Sequence, residues 1–102
     1  MQHLKYDQLK WEDTTNPKIQ KATIWTNSEM GGSTFWKVPK GEGFSKHGHK
    51  GYEHIYMAEG SMDFSGTVLS KGDFLCTSIG EEHEAFALDD SVILVMNERK
   101  NS

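Results

Sequence analysis

Cysteine is nearly absent: Cys76 is the only one in 102 residues. No intrachain disulfide can form, and such usage fits a reducing compartment. Proline is scarce too, with Pro17 and Pro39 alone. Basic runs are missing: eleven Lys and Arg are scattered along a chain of net charge −4. Phosphate binding needs clustered cations, so no nucleic-acid partner is expected. Long apolar runs are missing as well. The longest, 92–96, is one strand's worth, against the roughly 20 residues of a spanning helix. The first residues lack the apolar core of a signal peptide. These absences predict a soluble, cytoplasmic protein with no membrane partner. Nor does any long stretch show helical periodicity.

Ten glycines are present, and they mark many tight turns. Hydrophobic residues make up 35% of the chain and charged ones 25%, as in an ordinary globular protein. The length allows one domain with one core. Residues 1–18 are polar and read as a lead-in segment with at most a short turn of helix or strand. Leu4, Tyr6, Leu9 and Trp11 could pack it onto the main domain, 19–102, or onto a second subunit. Strands are predicted at 19–26, 33–38, 44–49, 53–58, 61–64, 67–69, 74–77, 83–88 and 91–97. Glycine-bearing turns separate most of them, including 27–32, Lys50-Gly51, Glu59-Gly60, Ser65-Gly66 and Lys71-Gly72-Asp73. Many short strands between such turns indicate an all-β sandwich or barrel.

The stretch from Gly41 to Gly60 carries the chemistry. His47 and His49 are separated by one residue, so on a strand both imidazoles point to one face. Glu53 follows after Lys50-Gly51-Tyr52, enough chain to turn and begin the next strand. If those two strands pair, the carboxylate lands beside the imidazoles. His83 would come from another strand of the same sheet or barrel. Three neutral imidazoles and one carboxylate suit a divalent Mn, Fe, Co, Ni, Cu or Zn ion and leave positions open for water or substrate.

These residues resemble the cupin superfamily. Its first motif, G(X)5HXH(X)3-4E(X)6G, is filled by Gly41, His47, His49, Glu53 and Gly60. Its second, G(X)5PXG(X)2H(X)3N, is met by Gly72, Gly80 and His83, with Ser78 in place of proline and Ala87 in place of asparagine. The resemblance implies a single-domain, jelly-roll-like cupin β-barrel. It also implies metal ligation by His47, His49, Glu53 and His83, and many similar small cupins are homodimers.

Strand parity places other residues. His54 should face away from Glu53, and Ile55 rather than Tyr56 should share the ligand face. Ala85 and Ala87 should share the face of His83. His3 is expected on the surface and Cys76 as a buried, inert thiol. Trp25, Phe35, Trp36, Phe44, Phe64, Phe74 and Phe86 are expected in the core or an interface. Small and apolar neighbours offer no acid or base, so any catalysis should rest on the metal. The expected function is a metal-dependent enzyme, dioxygenase-like in the first instance, acting on a small oxygenated molecule that chelates the ion. The alternative is a non-enzymatic metal- or ligand-binding module that works through a partner protein.

Overall fold

Alternation between buried and exposed positions builds this molecule. The computed structural model describes residues 1–26, 31–48 and 51–98, the side chains of 47, 48 and 98 excepted. Their strands are β1 (Glu12–Asp13), β2 (Gln20–Thr26), β3 (Gly32–Val38), β4 (Gly43–Gly48), β5 (Tyr52–Glu59), β6 (Ser61–Phe64), β7 (Thr67–Ser70), β8 (Phe74–Thr77), β9 (Glu82–Ala87) and β10 (Ser91–Glu98). One turn of 3-10 helix, Tyr6–Gln8, precedes them. No α-helix occurs among the described residues, and no helix there is long and apolar enough to cross a membrane.

The strands form a six-stranded sheet, β1-β2-β3-β10-β5-β8, and a four-stranded sheet, β4-β9-β6-β7. Neighbouring strands in both run antiparallel. Among the described residues no ladder joins the sheets, so the expected barrel is an open, jelly-roll-like sandwich. From β3 onward the chain passes back and forth between the layers, with β6 and β7 staying together as a hairpin. Strands such as β5, β6 and β9 each have one buried face, and such faces are buried only when the two layers meet.

In β5, Glu53, Ile55 and Met57 are buried while Tyr52, His54 and Tyr56 are exposed. In β9, His83, Ala85 and Ala87 are buried while Glu82, Glu84 and Phe86 are exposed. Ile19, Val38, Met62, Leu69 and Ile93 complete the centre of the core. Burying one such aliphatic side chain contributes about 1.5–3 kcal/mol. Of the aromatic residues expected in the core or an interface, Trp25, Phe74 and Phe86 are exposed and so lie outside the core. Cys76 is exposed as well, not buried. It stands opposite His54, and Phe74 stands opposite Tyr56, so both share the outward face of β5.

The N-terminal residues dock on the outer side of the larger sheet. Tyr6 meets Phe35 edge-on with ring centroids 5.3 Å apart, and the Lys37 ammonium lies 4.1 Å from the Trp11 ring centroid. At the other side of the core, the step from β5 to β6 needs glycine. Gly60 has φ +80°, and a Cβ there would run into the Asp90 carbonyl and the Ser91 hydroxyl. This is the physical reason for the last glycine of the first motif.

Candidate metal centre

Glu53 is the second residue of β5, held between two neighbours. Its register partners are Asn97 on β10 and Thr77 on β8. The Thr77 hydroxyl donates to the Glu53 backbone carbonyl at 3.1 Å. His83 is the second residue of β9 and the register partner of His47 on β4. Phe64, on β6, meets the His83 ring edge-on with centroids 6.0 Å apart. The larger sheet thus supplies the carboxylate and the smaller sheet the imidazole. Across the interior, Glu53 Oε1 lies 3.5 Å from His83 Nε2, and the two residues are only 6% and 8% exposed.

A carboxylate taken out of water needs positive charge or hydrogen bonds close by. The next inward residues on the two strands, Ile55 and Ala85, are buried and uncharged. The donor set fits a cation. An imidazole nitrogen and a carboxylate oxygen bind first-row divalent ions at roughly 2.0–2.2 Å. Two such bonds span up to about 4 Å, so a 3.5 Å separation can be bridged by one ion.

Of the four sequence-predicted ligands, the structure brings Glu53 and His83 together. For His47 only the backbone is described, opposite His83. His49 lies outside the described residues. Among the described residues no group of three or more His, Cys, Asp or Glu is placed to hold an ion. β4 and β5, whose pairing would have set Glu53 beside the imidazoles along a ladder, do not pair. β4 pairs with β9 in the smaller sheet, while β5 pairs with β10 and β8 in the larger. Glu53 therefore approaches His83 across the sandwich rather than along a ladder. The parity expectations for His54, Ile55, Tyr56, Ala85 and Ala87 agree with their burial, and His3 is exposed. The sequence does not single out Thr77, and it places Phe64 only in the core or an interface, not as a neighbour of His83. Nothing in their local spacing marks them, because their roles depend on which strands lie beside β5 and β9.

A cleft of about 600 Å³ opens elsewhere, at the edge of the sandwich, against Asn16, Lys21, Trp36 and Phe44. It is distinct from the buried pair. Trp36 stands opposite Ile93 on β10, whereas Glu53 stands opposite Asn97. Four residues of strand separate those rows by about 13 Å.

Comparison with known proteins agrees with this architecture. No curated protein matches the chain. Among solved structures, KdgF from Halomonas sp. superposes with a TM-score of 0.81 at 22% identity, covering 99% of this chain and 96% of its own. A chain of the Rhodobacter sphaeroides complex of SigE with the anti-sigma ChrR gives 0.80 at 20% identity, covering 92% of this chain and 52% of its own. This chain thus spans about half of that one. A putative acetylacetone dioxygenase from Methylibium petroleiphilum gives 0.83 at 16% identity, covering 93% and 74%. At these identities the likeness is one of fold. The family comparison reaches further, since the profile described as the ChrR cupin-like domain matches residues 1–101. The chain belongs to the ChrR cupin-like family, within the cupins.

Proposed function

We propose that this chain is a small metal-dependent enzyme whose ion is held by His47, His49, Glu53 and His83. The observation that carries this reading is the buried Glu53–His83 pair, set 3.5 Å apart by opposite sheets. Buried ionisable groups brought together in an apolar interior cluster at functional sites. The ion would be one divalent Fe, Mn, Ni, Co, Cu or Zn, and when bound it supplies Lewis acidity or redox chemistry.

The chain's own residues have simpler tasks. Thr77 ties the Glu53 backbone in place. Phe64 packs against the His83 ring and restricts its rotation. Ile55, Met57, Ala85 and Ala87 provide buried walls that exclude water and offer no proton donor or acceptor. Such walls favour reactions that ask little acid–base work of the protein, and dioxygenase-like chemistry on a small oxygenated molecule is the first of these. The fold-level likeness to a putative acetylacetone dioxygenase supports it. We further propose that the protein works in the reducing cytoplasm, as a homodimer.

A second reading is favoured by the family itself. A ChrR cupin-like domain, similar in fold to a chain from a sigma–anti-sigma complex, could bind a metal or small ligand and act through a partner protein without turnover.

The test is the metal content of the purified chain by elemental mass spectrometry, beside His49→Ala. The expected result is about one equivalent of a single first-row ion per chain, lost in the variant. Iron would direct oxygen-uptake assays with diketones and catechol-like compounds, and zinc or nickel would direct isomerase and lyase assays. No metal, even after reconstitution with each ion in turn, would overturn the enzyme reading and leave the second.

A further inference from the structure

We infer that Asn97 is a substrate-binding residue of the interior site, its side-chain amide donating to a carbonyl or enolate oxygen of the small molecule taken there. The inference rests on the metal centre proposed above and adds the residue that recognises the ligand. Asn97 on β10 is the register partner of Glu53 on β5, and Glu53 is the register partner of Thr77 on β8. Directly opposed residues on neighbouring strands share a face of the sheet. Glu53 is buried in the interior, so Asn97 is on the inward face too, in line with Ile93 and Val95, both buried. Asn97 is itself exposed. It therefore stands beside the carboxylate where the interior opens to solvent.

The chemistry of this row suits a neutral donor. Directly opposed side chains have Cβ atoms about 4.5–5.5 Å apart, so a molecule held beside Glu53 is within reach of the amide. A lysine or arginine at this position would pair with the carboxylate and compete with an ion for it. An acidic residue would repel both the carboxylate and an anionic ligand. A carboxamide does neither, and it keeps two N–H donors and one acceptor at every pH. An ionised carboxylate only accepts hydrogen bonds, so Glu53 draws the N–H end of the amide towards the site, where an oxygen acceptor meets it. On the other side of Glu53, the Thr77 hydroxyl is already engaged by the Glu53 backbone carbonyl. On the other side of Asn97 stands Gly32, which brings no side chain, and a Cβ there would run into the Trp25 carbonyl. The next row deeper is Thr34, Val95, Ile55 and Leu75. Its members on β10, β5 and β8 are apolar, and its one hydroxyl, on Thr34, is two strands from Ile55. Asn97 is thus the polar side chain of these rows best placed to read the ligand.

The test uses the full chain loaded with the ion that elemental analysis identifies, and acetohydroxamate, a chelator with two oxygens, as the probe. Binding is followed by anaerobic isothermal titration calorimetry, so no turnover is needed. Asn97→Ala should raise the Kd about tenfold or more, as loss of a hydrogen bond to a charged oxygen does. Asn97→Asp should raise it further, since a carboxylate cannot donate and repels the anionic probe. Metal content should stay at the wild-type level in both variants, and circular dichroism checks that each is folded. An unchanged Kd in Asn97→Ala would overturn the inference, and so would a loaded wild type that does not bind the probe. Loss of the ion in Asn97→Ala would overturn it as well, because the residue would then act through Glu53 rather than on the ligand. A wild-type chain that takes up no ion would overturn the metal reading and this inference together. An ion retained with a Kd indifferent to Asn97 would overturn this inference alone.

Discussion

Thr77 and Glu53 are joined by a buried hydrogen bond, the threonine hydroxyl donating to the glutamate's backbone carbonyl at 3.1 Å. They are also register partners on β8 and β5. The bond fixes the backbone from which the Glu53 carboxylate projects. Thr77→Val should remove about 1 kcal/mol of stability, measured by urea unfolding. It should also weaken metal retention in a dialysis series, while Thr77→Ser keeps both. Equal metal retention in Val and Ser variants would show that the carboxylate is positioned without this bond.

Glu53 and His83 form a pair whose value lies in binding rather than in folding. Replacing both, as Glu53→Met with His83→Leu, should leave the metal-free chain as stable or more so, since apolar side chains remove two desolvated polar groups. Either replacement alone should cost about 3 kcal/mol, because it leaves the other group buried opposite an apolar side chain. All three variants should lose the metal. A double variant less stable than both single ones would contradict this reading.

Gly60 turns the chain from the larger sheet to the smaller at φ +80°. Any side chain there meets the Asp90 carbonyl and Ser91. Gly60→Ala should cost about 2 kcal/mol or more through strain and overlap. Thermal unfolding would show it, with Gly41→Ala as comparison. Gly41 also has positive φ but open space around its Cα, so its replacement should cost less.

Tyr6 packs on Phe35, and its phenol is raised above the ordinary value of 10.0, first by burial and then by the Glu59 carboxylate. Below pH 10.0 the folded and unfolded chains both hold this proton, and the contact keeps its full value. Above that pH the unfolded chain releases the proton first, so stability falls as pH rises towards the folded value. Tyr6→Phe should flatten the decline of melting temperature between about pH 9 and about pH 11. A decline as steep in the variant would assign it to other groups. The effect should be small, because Tyr6 is 46% exposed.

Much of the fold is legible in the residues because its signals are local. Alternating side chains along β5 and β9 predict which positions turn inward, and Glu53, Ile55, His83, Ala85 and Ala87 are all buried. Turn chemistry does the same for the β6–β7 hairpin. Ser65 and Gly66, both with positive φ, close it between the strands predicted there. The exposed aromatic residues were harder to place. Phe74 and Phe86 look like core residues by composition, and only parity within an established strand puts them outside.

What the sequence alone determined is the period of each strand, the position of its turns, and the membership of Glu53 and His83 among inward-facing residues. Those properties depend on neighbours within a few positions along the chain. What only the tertiary structure decided is pairing. β4 could have joined β5 by a short hairpin, yet it pairs with β9, and β5 lies between β10 and β8. Pairing is set by how the apolar faces of distant strands are buried together, a choice made over the whole core. That choice brings a glutamate and a histidine thirty positions apart to within 3.5 Å across two sheets. It also sets Asn97 beside Glu53 in one register row.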